Sequence, residues 1–129
     1  MECKDILAFA IERASAINTY WNIFIAVATA VVGVMASGKA FTNSRTLKFF
    51  LSGAFTVFAY SNLSAIIRLG TLREALLDML PNDFSNREAI VGSLSPAEWW
   101  QYTGFHLLLD VAVLAAIWLV PWPKSDDST

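Results

Sequence analysis

The sequence predicts an all-α integral membrane three-helix bundle, in which helices one and two extend beyond the bilayer as a helical hairpin. Hydrophobic residues make up 56% of the 129 residues and charged residues only 16%, whereas soluble domains have roughly 45–50% and 25%. The hydrophobic residues are concentrated in three runs, each close to the roughly 20 residues that cross a bilayer as a helix. The length suits a single membrane domain, residues 1–129.

The composition excludes a basic nucleic-acid binder, a disordered tail and a disulfide scaffold. The net charge is −2, and the one cysteine, Cys3, cannot form a disulfide within the chain. Because zinc sites gather several ligands, one cysteine and one histidine also argue against a metal site. The sequence contains no Gly-rich phosphate loop, nucleophile elbow or paired-cysteine motif. We therefore expect no catalytic residues, no cofactor and no nucleic-acid partner.

The first span is predicted at residues 14–37, which carry no charge, and Gly38 is placed to end the helix as a left-handed glycine. Small and polar residues share an arc of about 100° along this helix. We expect this arc to pack against other helices, because small residues let backbones approach and amides hydrogen-bond between helices; it comprises Asn18, Asn22, Ala26, Thr29, Gly33 and Ser37. The opposite arc is expected to face lipid, and it comprises Phe24, Val27, Val31, Val34 and Met35.

The second span is predicted at about residues 47–68, with Asn43 or Ser44 as the N-terminal cap of its helix. A stripe similar to that of helix one runs along it, comprising Gly53, Val57, Ser61, Ser64 and Arg68. Nothing stops the helix before Pro81, just as nothing stops helix one between Lys4 and Ser37. Each helix is therefore about 50 Å long, against about 30 Å of hydrocarbon.

The excess length of both helices falls on the side that holds the N-terminus. Two apolar stripes there are predicted to pack together outside the membrane. One consists of Ile6, Leu7, Ala10 and Ala14, and the other of Leu72, Ala75, Leu76 and Met79. Residues 69–95 then form an extramembrane cap, with one short helix over residues 87–91.

The third span is predicted at residues 98–120, and its apolar run, residues 99–120, holds a single acid, Asp110, and a single histidine, His106. Ser95 as N-cap, Pro96 as first helical residue and Glu98 at the third position predict a capping box at its start. Pro121 and Pro123 are expected to end the helix.

The basic residues indicate the orientation of the chain, and the tryptophans indicate where the membrane interfaces lie. Lys39, Arg45 and Lys48 lie in one short acid-free connection, which favours the cytoplasm for that side and hence an N-out, C-in chain. We expect a bacterial inner or cell membrane. Aromatic belts are predicted at both interfaces, formed by Trp99 and Trp100 at one end of helix three and by Trp118 and Trp122 at the other.

Polar side chains of all three spans are expected to meet in the membrane half nearest the N-terminus. The predicted cluster comprises Asn18, Asn22, Ser61, Asn62, Arg68, Thr103, His106 and Asp110. Asp110 most needs a partner, because an acid at mid-bilayer costs about 2.5–3.5 kcal/mol, and His106 lies one turn earlier on the same face. Two interpretations stay open: an ion or proton path, or a buried network that fixes packing. Close helix contacts are predicted at Ala26, Gly33, Gly53 and Gly104.

These patterns favour a small membrane protein that self-associates into a pore or ion channel, with Asp110 and His106 lining or gating a polar vestibule. One alternative is a structural or accessory subunit of a larger membrane complex. Another is a binder of a small ligand or lipid. In its size, three spans and N-out, C-in topology the chain resembles one class of phage holin. The resemblance is architectural only: residues 124–129 carry two acids and one base, where such holins tend to have strongly basic tails, and no residue role is carried over.

Overall fold

Four helices follow one another in the computed structural model, which describes residues 1–39 and 44–119. They are α1 (Cys3–Ala36), α2 (Arg45–Asp78), α3 (Arg87–Leu94) and α4 (Trp99–Leu119). No strand occurs in these described ranges. Helix α1, helix α2 and the stretch Arg87–Leu119 are each long and apolar enough to cross a membrane. The predicted three-helix membrane bundle is therefore confirmed.

The ends of the first two helices follow local rules. Gly38 has a φ of 65°, which confirms the left-handed glycine predicted after α1. The Ser44 hydroxyl accepts a hydrogen bond from the Leu47 N–H at 3.4 Å and so caps α2. Asn43, the other predicted cap, lies outside the described residues. At the start of α1, the Glu2 N–H donates to Asp5 Oδ2 at 3.2 Å.

The capping box predicted at Ser95 is wrong. The Ser95 hydroxyl donates to the Val91 carbonyl at 2.7 Å, so this serine ends α3 instead of starting α4. The contact that opens α4 lies three residues later, where the Glu98 N–H donates to Gln101 Oε1 at 3.2 Å. The short helix predicted at 87–91 continues to Leu94, which explains why Ser95 is used at its end. Pro121 and Pro123 lie outside the described residues.

Apolar side chains, most of them large, fill the space between the three long helices. The buried members are Phe24 and Met35 of α1, Phe55 and Ala59 of α2, and Val113 and Ile117 of α4. The prediction that the Phe24–Met35 face of α1 meets lipid is therefore wrong. Three helices around a common axis leave a space that bulky side chains fill, whereas small side chains serve close contacts between two helices.

The predicted close contacts at small residues are also wrong for the interior of this chain. Ala26, Gly33, Gly53 and Gly104 are all exposed. A Cβ atom built on any of the three glycines would meet nothing within 4 Å. Within the described ranges, the three glycines therefore make no close contact with another helix.

A second apolar cluster joins the start of α1 to the end of α2, as predicted. Its buried members are Ile6, Ala10, Leu77 and Leu80, and α3 packs against it through Val91 and Leu94. Of the stripe predicted on α2, Leu76 packs against this cluster, whereas the prediction is wrong for Leu72 and Met79, which are more than half exposed, and for Ala75, which is exposed. The inward face of α2 instead continues the line of its membrane segment, through Phe55, Asn62, Ile66, Gly70 and Leu77.

Tryptophans lie exposed at both ends of α4. Trp99 and Trp100 are exposed at its start and Trp118 near its end, positions that suit the predicted aromatic belts. The Trp118 Nε1–H also donates to Ser52 Oγ at 3.1 Å and so attaches α4 to α2. Trp122 lies outside the described residues.

Candidate functional site

Three polar side chains form a connected hydrogen-bond network between the long helices, which we call the inner network: Asn62, His106 and Asp110. Asn62 Nδ2 donates to the backbone carbonyl of Tyr20 at 3.0 Å, and Asn62 Oδ1 lies 3.3 Å from His106 Nε2. His106 Nδ1 lies 2.9 Å from Asp110 Oδ2. Asn62 and His106 are buried. The network therefore joins the backbone of α1 to side chains of α2 and α4.

The hydrogen bonds determine where the protons of the inner network lie. Because the Asn62 amide nitrogen donates to Tyr20, its oxygen faces His106, and Nε2 must carry a hydrogen. The atom pair Nδ1–Oδ2 then holds one proton, either on a neutral Asp110 or on a doubly protonated His106. In both states the pair has no net charge. This is the condition under which a buried acid and histidine are tolerated in an apolar interior.

Aromatic rings of α1 cover the His106 imidazole. The ring centroids of Phe24 and Trp21 lie 4.1 Å and 5.4 Å from that of His106, and Phe105 packs on Trp21 at 5.8 Å. These rings keep His106 out of contact with solvent and strengthen its hydrogen bonds by lowering the local dielectric. Sequence reasoning missed both covering residues. The available signal was the i, i+3 spacing of Trp21 and Phe24, which makes the two rings neighbours on the helix surface.

Asp110 lies at the outer end of the inner network. Its side chain is 15% exposed and lines an apolar groove of about 290 Å³ between α2 and α4, beside Thr56 and Tyr60. Within the described ranges, Asp110 Oδ1 is buried and has no hydrogen-bond partner. The hydrogen-bond partner of Asp110 is thus His106, whereas Arg68, the basic residue of the predicted cluster, is exposed.

The other predicted cluster residues do not join the inner network. Asn18, Asn22 and Ser61 are exposed on the outside of the bundle. Thr103 is half-buried, and its hydroxyl has no hydrogen-bond partner among the residues that the structure describes. Of the eight residues predicted to meet, three therefore do so. The separation arises because Asn18 and Asn22 lie on the side of α1 opposite Phe24.

The exposed side of α1 carries a continuous polar and small-residue surface, which we call the outer stripe. It consists of Asn18, Asn22, Ala26, Thr29, Gly33 and Ser37, all exposed. Its Ser37 hydroxyl bonds to the Val34 carbonyl of the same helix at 2.7 Å. The amides of Asn18 and Asn22 make no hydrogen bond within the described ranges. An amide has four hydrogen-bonding positions, so this surface needs partners from elsewhere.

The comparisons with known proteins give no relative from which a role could be transferred. The chain matches no protein-family model, no curated protein and no solved structure. Among the described residues, no group of three or more His, Cys, Asp or Glu side chains is placed to hold a metal ion. Functional inference therefore rests on the inner network, the outer stripe and the clefts of the bundle.

Proposed function

We propose that the protein is a homo-oligomeric membrane protein in which the outer stripes of several copies line a narrow ion-conducting pore. The observation that carries this proposal is the exposure of Asn18 and Asn22 on a helix whose opposite side is buried. A single copy with three long helices does not surround an aqueous path. A pore consequently requires several copies around a shared axis.

The cost of leaving these amides in lipid supports the proposal. The first span is predicted to begin at residue 14. Asn22 lies about 12 Å further along the helix, at 1.5 Å per residue, and therefore inside the hydrocarbon of that predicted span. An amide moved from water to an apolar medium without a hydrogen-bond partner costs roughly 2–7 kcal/mol. Water in a pore or an amide of a neighbouring copy removes that cost. Ala26 and Gly33 allow the backbone of such a neighbour to approach closely.

In this proposal the inner network has a packing role. His106 lies beneath Trp21 and Phe24, which favours the packing interpretation over a vestibule lined by His106 and Asp110. By joining α2 and α4 to α1, the network holds the outer stripe in a constant direction. The exposed side of α1 is thus the proposed pore lining, and the buried side of α1 is where the inner network holds the helices in place.

The membrane location also belongs to this proposal. Helices α1 and α2 have 34 residues each, about 51 Å at 1.5 Å per residue, so we infer that their paired ends project outside a bacterial inner or cell membrane. The basic residues Lys39, Arg45 and Lys48 support an N-out, C-in orientation. Cys3 is a free thiol at the N-terminal end, and its labelling by a membrane-impermeant maleimide in intact cells tests that orientation.

The test of the proposed function combines particle mass with ion flux. The purified chain is measured in nanodiscs and reconstituted in dye-loaded liposomes. Asn22→Leu should lower the flux at least about tenfold, because it places an apolar side chain where the pore needs a polar one. Thr29→Val on the outer stripe should also lower it. Thr56→Val, the matched control, changes an exposed threonine of α2 and should leave the flux unchanged.

Three results would contradict the proposal in different ways. A strictly monomeric particle removes the pore. An oligomer without flux leaves self-association and removes conduction. A particle that contains a second protein and shows no flux supports the accessory-subunit alternative, in which the outer stripe docks on a larger complex.

A further inference from the structure

A cleft of about 300 Å³ lies between the C-terminal half of α2 and the start of α4. We call it the interfacial cleft. It is separate from both the inner network and the outer stripe. Two acidic side chains line it, Glu74 of α2 and Glu98 of the connection before α4, together with the aromatic side chains Trp99 and Tyr102.

No cation of the described residues pairs with the acidic side chains of the interfacial cleft. Within the described ranges, the carboxylates of Glu74 and Glu98 form neither an ion pair nor a side-chain hydrogen bond. An ionised carboxylate is an acceptor only, so two of them beside one cavity favour a group that carries positive charge and N–H donors. Trp99 and Tyr102 add aromatic faces, which attract a cation through the ring quadrupole.

A glycine on α2 allows the cleft to have this shape. A Cβ atom at Gly70 would lie 3.2 Å from Tyr102 Oη, closer than ordinary van der Waals contact. Because the position is glycine, the Tyr102 phenol lies against the backbone of α2 and forms one wall of the cleft. Gly70 itself is buried. The cleft is thus formed where α4 packs closely against α2.

The predicted span ends put the cleft at the level of the lipid headgroups. The predicted spans of α2 and α4 end at about residues 68 and 98, and the cleft is lined by residues from 67 to 74 and from 96 to 102. Trp99 and Trp100 are exposed at the same end of α4, as is typical of a membrane interface. A cation that reaches this depth belongs either to a lipid headgroup or to a small amine in the aqueous layer.

We propose that the interfacial cleft binds a primary ammonium group through Glu74, Glu98, Trp99 and Tyr102. The group is supplied either by the ethanolamine headgroup of a phospholipid or by a free alkylamine. The carboxylates select the primary ammonium over a quaternary one, because a trimethylammonium group has no N–H to donate. This assignment goes beyond the pore proposal and does not depend on it, since binding requires one copy only.

The first experiment measures lipid preference with the full chain in detergent. The chain is mixed with equal amounts of phosphatidylethanolamine and phosphatidylcholine that have the same acyl chains, and bound lipids are counted by native mass spectrometry. Phosphatidylethanolamine should be retained about three- to tenfold more than phosphatidylcholine, the range expected for exposed carboxylate–ammonium pairs. The double variant Glu74→Gln with Glu98→Gln should lose this preference.

Two further variants control for charge and folding. Asp78→Asn removes an exposed acid at the same end of α2 but outside the cleft, and it should keep the preference. Glu98→Gln alone leaves all four helical sequences unchanged and should weaken the preference even if the double variant does not fold.

A second arm distinguishes the two sources of the ammonium group. Ethanolamine hydrochloride is added to the chain in phosphatidylcholine nanodiscs, and the midpoint of thermal unfolding is followed. A ligand that binds the folded chain raises this midpoint by mass action. If ethanolamine raises the midpoint of the unmodified chain but not that of the double variant, and the first arm shows no lipid preference, the cleft binds a free amine. Lipid preference in the first arm assigns it to the headgroup. The proposal is overturned if the unmodified chain shows neither effect, or if the effects persist unchanged in Glu74→Gln with Glu98→Gln.

Discussion

The His106 Nε2–H of α4 donates to Asn62 Oδ1 of α2 across 3.3 Å, and it can do so because the Asn62 amide nitrogen already donates to the Tyr20 carbonyl of α1. One side chain thus connects three helices. Lipid is as apolar as the bundle interior, so burial of apolar surface drives membrane helices together only weakly. Interhelical hydrogen bonds, worth about 0.6–2 kcal/mol each, are therefore a large share of what determines this arrangement.

Asn62→Leu should destabilise the bundle by about 1–3 kcal/mol, because it removes both bonds of the amide and leaves the Nε2–H of His106 buried without a partner. The free energy of unfolding is measured by titration with a denaturing detergent, followed by circular dichroism. Ser61→Ala changes the adjacent exposed residue and should have almost no effect. Equal stability of the two variants would contradict the role given to the inner network.

Asp110→Asn should be tolerated far better than Asp110→Ala. The amide of the asparagine can donate to His106 Nδ1 and keep the histidine neutral, whereas alanine leaves Nδ1 without a partner. We expect Asp110→Ala to cost about 1–3 kcal/mol more than Asp110→Asn. The same unfolding titration measures this difference. If the two variants lose the same stability, the proton-sharing contact contributes nothing to the fold.

Phe24→Ala should cost about 3–5 kcal/mol, as is usual for removing a fully buried aromatic ring. The ring packs on His106 at 4.1 Å between centroids and is 0% exposed. Phe50→Ala, at a side chain that is 71% exposed, is the matched control and should change stability by less than about 0.5 kcal/mol. Thermal unfolding of both variants in the same detergent checks this. A small effect at Phe24 would mean that α1 presents a different face to its neighbours.

The orientation of α1 is the point at which prediction from the sequence was wrong. A plot of the helix separates an asparagine-bearing face from a phenylalanine-bearing face, but in a membrane this contrast does not tell which face points inward. In water the apolar face is buried because water expels it. In a bilayer both sides of a helix meet apolar surroundings. The packing of Phe24 and Met35 between three helices therefore decides which face of α1 points inward.

The outcome at Ser95 has a different cause. The capping-box pattern at Ser95 to Glu98 is a valid local signal, but the preceding helix also ends there, and its Val91 carbonyl takes the serine hydroxyl. The end of α3 and the start of α4 can both use the Ser95 side chain, and the spacing of residues in the sequence does not indicate which of the two hydrogen bonds forms. The cleft beside Glu98 was likewise not predictable, because its walls come from separate helices that meet only when Gly70 packs against Tyr102.

The sequence alone determined three long helices, the left-handed Gly38 after α1, a cap of α2 at Asn43 or Ser44, and the pairing of His106 with Asp110 one turn apart, because each of these depends on residues within a few positions of one another. The tertiary structure decided that Asn62 completes the inner network, that Asn22 is left on the outside, and that Glu74 and Glu98 line one cleft. Those relationships join residues far apart in the chain. They depend on the rotation of each helix about its own axis, which is determined by how bulky side chains from all three helices share one interior.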